Sequence, residues 1–198
     1  MKTSLILLSF FVAGILAGVA GLVPEFIVES DLELYVLYAL LFFVGLGLGC
    51  DREALRNILR LNLRTLLVPG AVVVGSLAGA AALAWLFTDL KPGESLAVCS
   101  GFGYYSLSSV LITQISGEEL GVIALLSNIF RESITILLTP VLVRYCGKLS
   151  PIACGGATTM DVTLPIIHKF VGSSYTLVAI INGLVLTILV PIMVPLFL

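Results

Sequence analysis

ALLSNIFRESITILLTP, residues 124–140, decides how the rest of the chain is read. Its Ala, Leu, Ile and Phe residues make it look like a membrane span, yet Ser127, Asn128, Arg131 and Glu132 put two full charges near its middle. At about 100° per residue, Asn128, Glu132, Thr135 and Thr139 fall within roughly 60° of one another on a helix. Arg131 lies at the edge of that stripe, and Ser127 is one turn below it. The opposite face carries Ile129, Phe130, Ile134, Ile136 and Leu137 and can meet lipid or other helices. A charge at the bilayer centre costs about 2.5–3.5 kcal/mol on insertion scales, so an ionisable residue there marks a pathway or site by default.

The composition sets that helix in a membrane. The 198 residues are 59% hydrophobic and 11% charged, with a mean hydropathy of +1.17. Soluble domains carry about 25% charged residues, so this chain has too little polar surface to cover a water-soluble globule. Its net charge of −2 offers no basic face for nucleic acid. Cys50, Cys99, Cys146 and Cys154 form no CxxC, and the chain has a single His. A protein-built metal centre or cofactor site is therefore not expected, and the cysteines read as small packing residues.

The expected fold is an all-α integral membrane protein: one transporter domain over 1–198, with about five transmembrane helices and two re-entrant or discontinuous segments. Runs of about 20 apolar residues cross the hydrocarbon core, which places spans at 4–23, 33–50, 65–88, 119–143 and 172–198. TSLILLSFFVAGILAGVAGLV exceeds the apolar core of a signal peptide and reads as a first span. GLGLGC, at the end of the second, suits close helix packing. Arg52, Arg56, Arg60 and Arg64 mark the loop after it as cytoplasmic; their i, i+4 spacing fits either an interfacial helix on lipid phosphates or a solvated loop. The N-terminus is then cytoplasmic and the C-terminus outside, in a multi-pass protein of the cell's inner membrane.

Two segments break the pattern. Residues 95–115 hold SGFGYYSLSS where aliphatic residues belong, and residues 150–170 hold CGGATTMDVT. If 95–115 turns back, the basic cluster RYCGK (144–148) falls in the cytoplasm, as the charge rule asks. Lys148 on one side of the second segment, with His168 and Lys169 on the other, favours the same for it. Backbone that leaves the helical ladder at membrane depth occurs where it lines a cavity. Paired broken helices meeting near the midplane are the pattern of secondary transporters.

The candidate substrate site draws on these three stretches. Glu132 and Asp161 are the carboxylates, for substrate and for a coupling proton. Asn128, Arg131, Thr158, Thr159, Ser106, Gly155 and Gly156 complete the set. Arg131 can either clamp a carboxylate or lock helices together, because it points about 100° away from Glu132. Asp161 can instead cap the helix beginning at Val162. Glu118 and Glu119 read as helix-start residues, and His168 as topogenic. Two carboxylates with hydroxyls and an amide suit a cationic or zwitterionic substrate. No catalytic residue is expected: the chain has no G-x-S-x-G elbow and no histidine base within the spans.

GFGYYSLSSVLIT (101–113), LGVIALLSNIFRE (120–132) and RYCGKLSPIACGGATTMDVTLPII (144–167) resemble the LysO family of bacterial and archaeal lysine exporters. The resemblance covers about residues 35–198. It implies efflux of L-lysine, and of its toxic analogue thialysine, with acidic intramembrane residues matching Glu132 and Asp161. Full-length members are longer at the N-terminus, where they carry further spans and another acidic residue, and in some the two parts are separate proteins. The resemblance therefore implies a small LysO-like N-terminal membrane partner, or self-association. The alternative, from a different class, is a channel or a non-transporting structural subunit of a larger membrane complex.

Overall fold

A computed structural model describes residues 2–20, 63–84 and 91–198, with isolated positions between 35 and 50. Most of the expected second span and the loop carrying Arg52, Arg56 and Arg60 lie outside the described residues. The chain forms two units, residues 1–39 and 40–198. In the first, α1 covers Lys2–Val19, inside the expected span 4–23.

The second unit holds α2 (Leu63–Ala84), α3 (Pro92–Cys99), α4 (Tyr105–Ser116), α5 (Glu118–Cys146), α6 (Ser150–Gly155), α7 (Leu164–Val171) and α8 (Thr176–Phe197), with a 3₁₀ turn at Gly156–Met160. Among the described residues every regular element is helical. Among the described residues, three stretches are long and apolar enough to cross a membrane: Thr65–Ala84, Glu118–Cys146 and Ser173–Phe197. These fall on the expected spans 65–88, 119–143 and 172–198. At 29 residues, α5 is about 43 Å long, more than the ~30 Å hydrocarbon core.

Both irregular segments are broken helices. The first is α3 and α4, interrupted at residues 100–104; the second is α6 and α7, interrupted by the 3₁₀ turn. Each doubles back. Ile152 of α6 and Ile167 and Val171 of α7 share one cluster with Val143 near the end of α5, Val68 near the start of α2 and Ala179 near the start of α8. So α6 begins and α7 ends at one end of the unit. The first pair belongs to the other end: Gly93 abuts the Phe197 backbone at the end of α8, and α4 leads through Gly117 directly into α5. Lipid is as apolar as these side chains, so close packing rather than the hydrophobic effect holds them together.

The charges sort along the same axis. Arg144, Lys148, His168 and Lys169 lie at the end where α5 finishes, while Glu94, Glu118 and Glu119 lie at the opposite end, where Lys91 is the one cation among the described residues and pairs with Glu94. Glu118 and Glu119 open α5, as expected of helix-start residues.

Candidate functional site

The two breaks touch tip to tip. The Ala157 N–H donates to the Phe102 carbonyl at 2.8 Å. The approach depends on Gly156, whose φ of +64° and ψ of −126° suit glycine. A Cβ there would collide with the same Phe102 carbonyl oxygen. Phe102 itself is fully buried with φ +46°, a left-handed conformation that non-glycine residues adopt only where the surroundings impose it.

The polar stripe of α5 holds both tips. Asn128 Oδ1 accepts the Gly103 N–H at 2.7 Å, while its Nδ2 donates to the Ala124 carbonyl at 2.8 Å. Two turns on, the Thr135 hydroxyl donates to its own helix at the Arg131 carbonyl (2.8 Å), and its oxygen lies 3.1 Å from Cys154 Sγ, whose S–H can donate to it. Asn128 thus meets the first break and Thr135 the second. Glu132 lies between them on the same buried face, with only 2% of its surface exposed. Helical register alone therefore sets its carboxylate at the height where the breaks meet. Thr139, the last stripe residue, is buried and bonds back to Thr135.

Arg131 is turned toward the second break. Its Nε donates to Cys154 O at 2.8 Å, Nη2 to Ala153 O at 3.1 Å, and Nη1 to Ser76 Oγ on α2 at 3.3 Å. These carbonyls end α6, where helical carbonyls have no intrahelical partner and the dipole is negative. The guanidinium fork meets two of them and ties α6 to α2. This is the helix-locking geometry; its donors are directed at backbone and hydroxyl.

The candidate threonines knit the second break. Thr158 Oγ1 donates to Gly155 O at 3.0 Å, and Thr159 Oγ1 reaches Ala179 O on α8 at 2.7 Å. Both are buried. Asp161 follows the 3₁₀ turn with its side chain exposed, accepting the Val162 N–H. It does not cap α7, whose first turn has no side-chain cap. Ser106 sits half-buried in the first turn of α4. The structure therefore gathers Asn128, Arg131, Glu132, Gly155, Gly156, Thr158 and Thr159 around the crossing, with Asp161 and Ser106 at its edge.

Asn182 is the participant that sequence reading misses. Fully buried on α8, it donates from Nδ2 to Gly156 O at 3.0 Å. Its neighbour Gly183 lets the 3₁₀ turn approach: a Cβ there would lie 2.7 Å from Ala157 O and from Met160 Cβ. The available signal is an Asn-Gly pair inside TLVAIINGLVL, a span otherwise almost free of polar side chains.

The arrangement can hold a cationic group: a buried carboxylate and an exposed one flank a junction of ordered backbone. The family model "Lysine exporter LysO" matches residues 8–198. The chain is 38% identical over 195 residues to "Lysine exporter LysO" of Escherichia coli K12, covering 98% of this chain and 64% of that protein. It is 37% identical over 165 residues to a "Putative lysine exporter" of Haemophilus influenzae, covering 83% of each chain. No solved structure matches the chain. It thus spans less than two thirds of the Escherichia coli relative. The extent of the family match and the identity to the two relatives agree, and the chain belongs to the lysine exporter LysO family.

Proposed function

We propose that this chain exports L-lysine, and thialysine, from the cytoplasm as a secondary transporter, with proton inflow driving efflux. The observation that carries the reading is Glu132, a carboxylate buried at the level where two broken helices meet. An ammonium group is the complementary ligand for such a carboxylate. Asp161, exposed just past the second break, is the proposed station toward the aqueous side. Glu132 and Asp161 alternate between binding the substrate cation and binding a proton, so one exchanges for the other. Asn128 and Arg131 hold the tips that frame the site, and Thr158, Thr159, Ser106, Gly155 and Gly156 shape its wall.

The proposed topology has five crossings and two re-entrant segments in the inner membrane, N-terminus cytoplasmic and C-terminus outside. The clustering of Arg144, Lys148, His168 and Lys169 at one end supports it, because basic residues favour the cytoplasmic face. We further propose that additional membrane helices complete the path, from a small partner resembling the family's N-terminal part or from a second copy. The motive for this is the Escherichia coli relative, of which the chain covers 64%.

The test is efflux from proteoliposomes preloaded with lysine under an imposed pH gradient, with and without the candidate partner. Gradient-dependent efflux that Glu132→Gln abolishes is the expected result. Unchanged efflux in Glu132→Gln removes that residue from the mechanism. No efflux even with the partner present overturns lysine export and favours a structural subunit.

A further inference from the structure

The end of the unit where α5 finishes carries cations that the transport site does not use. Arg144 lies in the last turn of α5, Lys148 in the connection to α6, and His168 and Lys169 in the last turn of α7. All four are exposed. Among the described residues none of them has a carboxylate partner.

Two contacts bring these side chains to one place. Lys148 Nζ sits 5.7 Å from the centroid of the Tyr175 ring, within cation–π range. His168 Nδ1 lies 2.9 Å from the Thr176 hydroxyl oxygen. Lys148 and His168 thus arrive from different elements at adjacent residues, where α8 starts. The Tyr175 ring is a fixed floor: it packs against the cluster of Ile152, Ile167, Val171 and Ala179, which joins α6, α7 and α8. Ser173 and Ser174, exposed just before it, add hydroxyl donors, and α8 directs the positive end of its dipole the same way.

An anion answers such a group of donors, and the neighbouring residues select its kind. Exposed apolar or aromatic side chains follow the cations directly in sequence: Tyr145 after Arg144, Leu149 after Lys148 and Phe170 after Lys169. A free phosphate gains nothing from them, whereas a phospholipid sets its headgroup on the cations and its acyl chains on the apolar surface. Basic and aromatic side chains at one level of a membrane protein belong to the headgroup region. We propose that Lys148, His168 and Lys169, with the start of α8, form a binding site for the phosphate headgroup of an anionic phospholipid, which ties α7 and the α5–α6 connection to α8. The inference rests on the membrane reading of the chain and not on lysine export.

The test is thermal melting of the purified chain in neutral detergent, with phosphatidylglycerol, phosphatidylcholine or inorganic phosphate added over a concentration series. Phosphatidylglycerol should raise the melting temperature saturably, and the other two should not. A lysine at an anionic lipid surface contributes about fivefold in affinity, so Lys148→Gln combined with Lys169→Gln should raise the half-saturating phosphatidylglycerol concentration about 25-fold. Lys169→Gln alone, whose ammonium contacts only its neighbour Phe170, should raise it about fivefold without changing the melting temperature measured in detergent alone. Arginine at both positions should keep the lipid effect, and Lys91→Gln, at the opposite end, should behave as wild type. An unchanged half-saturating concentration in the glutamine variants overturns the site. So does equal stabilisation by phosphatidylcholine, or an equal loss in Lys91→Gln. Stabilisation by inorganic phosphate as strong as by phosphatidylglycerol overturns the lipid as occupant.

Discussion

Replacing Gly156 with alanine tests the crossing of the two breaks most directly. Two costs follow from the geometry. The backbone at φ +64°, ψ −126° lies in a region that side-chain-bearing residues adopt at about 1–3 kcal/mol. The new Cβ would also overlap the Phe102 carbonyl oxygen, so the Ala157–Phe102 hydrogen bond at 2.8 Å must lengthen or break. A bond of this kind contributes about 0.5–1.5 kcal/mol net. Together Gly156→Ala should destabilise the unit by about 2–4 kcal/mol. Denaturant titration in detergent, followed by Trp or circular dichroism signals, measures it. Gly79→Ala is the control: its Cβ would meet nothing within 4 Å, and alanine in a helix interior is about 0.5–1 kcal/mol more favourable than glycine. If Gly156→Ala unfolds at the same midpoint as wild type, the breaks are not held against each other as described. If it unfolds early but transports lysine normally once reconstituted, the crossing supports the fold without shaping the path.

Arg131→Ala should leave the partly buried Ala153 and Cys154 carbonyls without their donors, at about 1–3 kcal/mol in all. Arg131→Lys keeps the charge without the fork and should fall between it and wild type in the same titration. A stable Arg131→Lys that no longer binds lysine would show instead that the guanidinium acts on substrate. Asn182→Ala removes the Gly156 partner and should cost about 1–3 kcal/mol; amide exchange at residues 156–160 should speed up, and unchanged exchange would exclude Asn182 as the anchor of that turn. Glu132→Gln should remove proton-driven lysine efflux while leaving the melting temperature close to wild type, read in the proteoliposome assay and by thermal denaturation.

What the sequence determined was everything carried by local pattern. A period near 3.6 set Asn128, Glu132, Thr135 and Thr139 on one face of α5, and the structure buries those four residues. Apolar run length marked the three described crossing stretches, and Gly-rich polar interruptions marked both helix breaks. Such features follow from backbone geometry and from the cost of unsatisfied polar groups, which act over a few residues. Contacts between distant segments were not legible in the same way. Arg131 was ambiguous as a residue beside Glu132, because only the return of α6 along α5 brings the Ala153 and Cys154 carbonyls to its fork. Asn182 is one polar residue in a greasy span, and only the packing of α8 on the 3₁₀ turn gives it the Gly156 carbonyl as a partner. Sequence periodicity states which face of a helix is polar and how deep it sits; which partner waits there is settled by how the broken helices fold back, and that depends on packing across the whole unit.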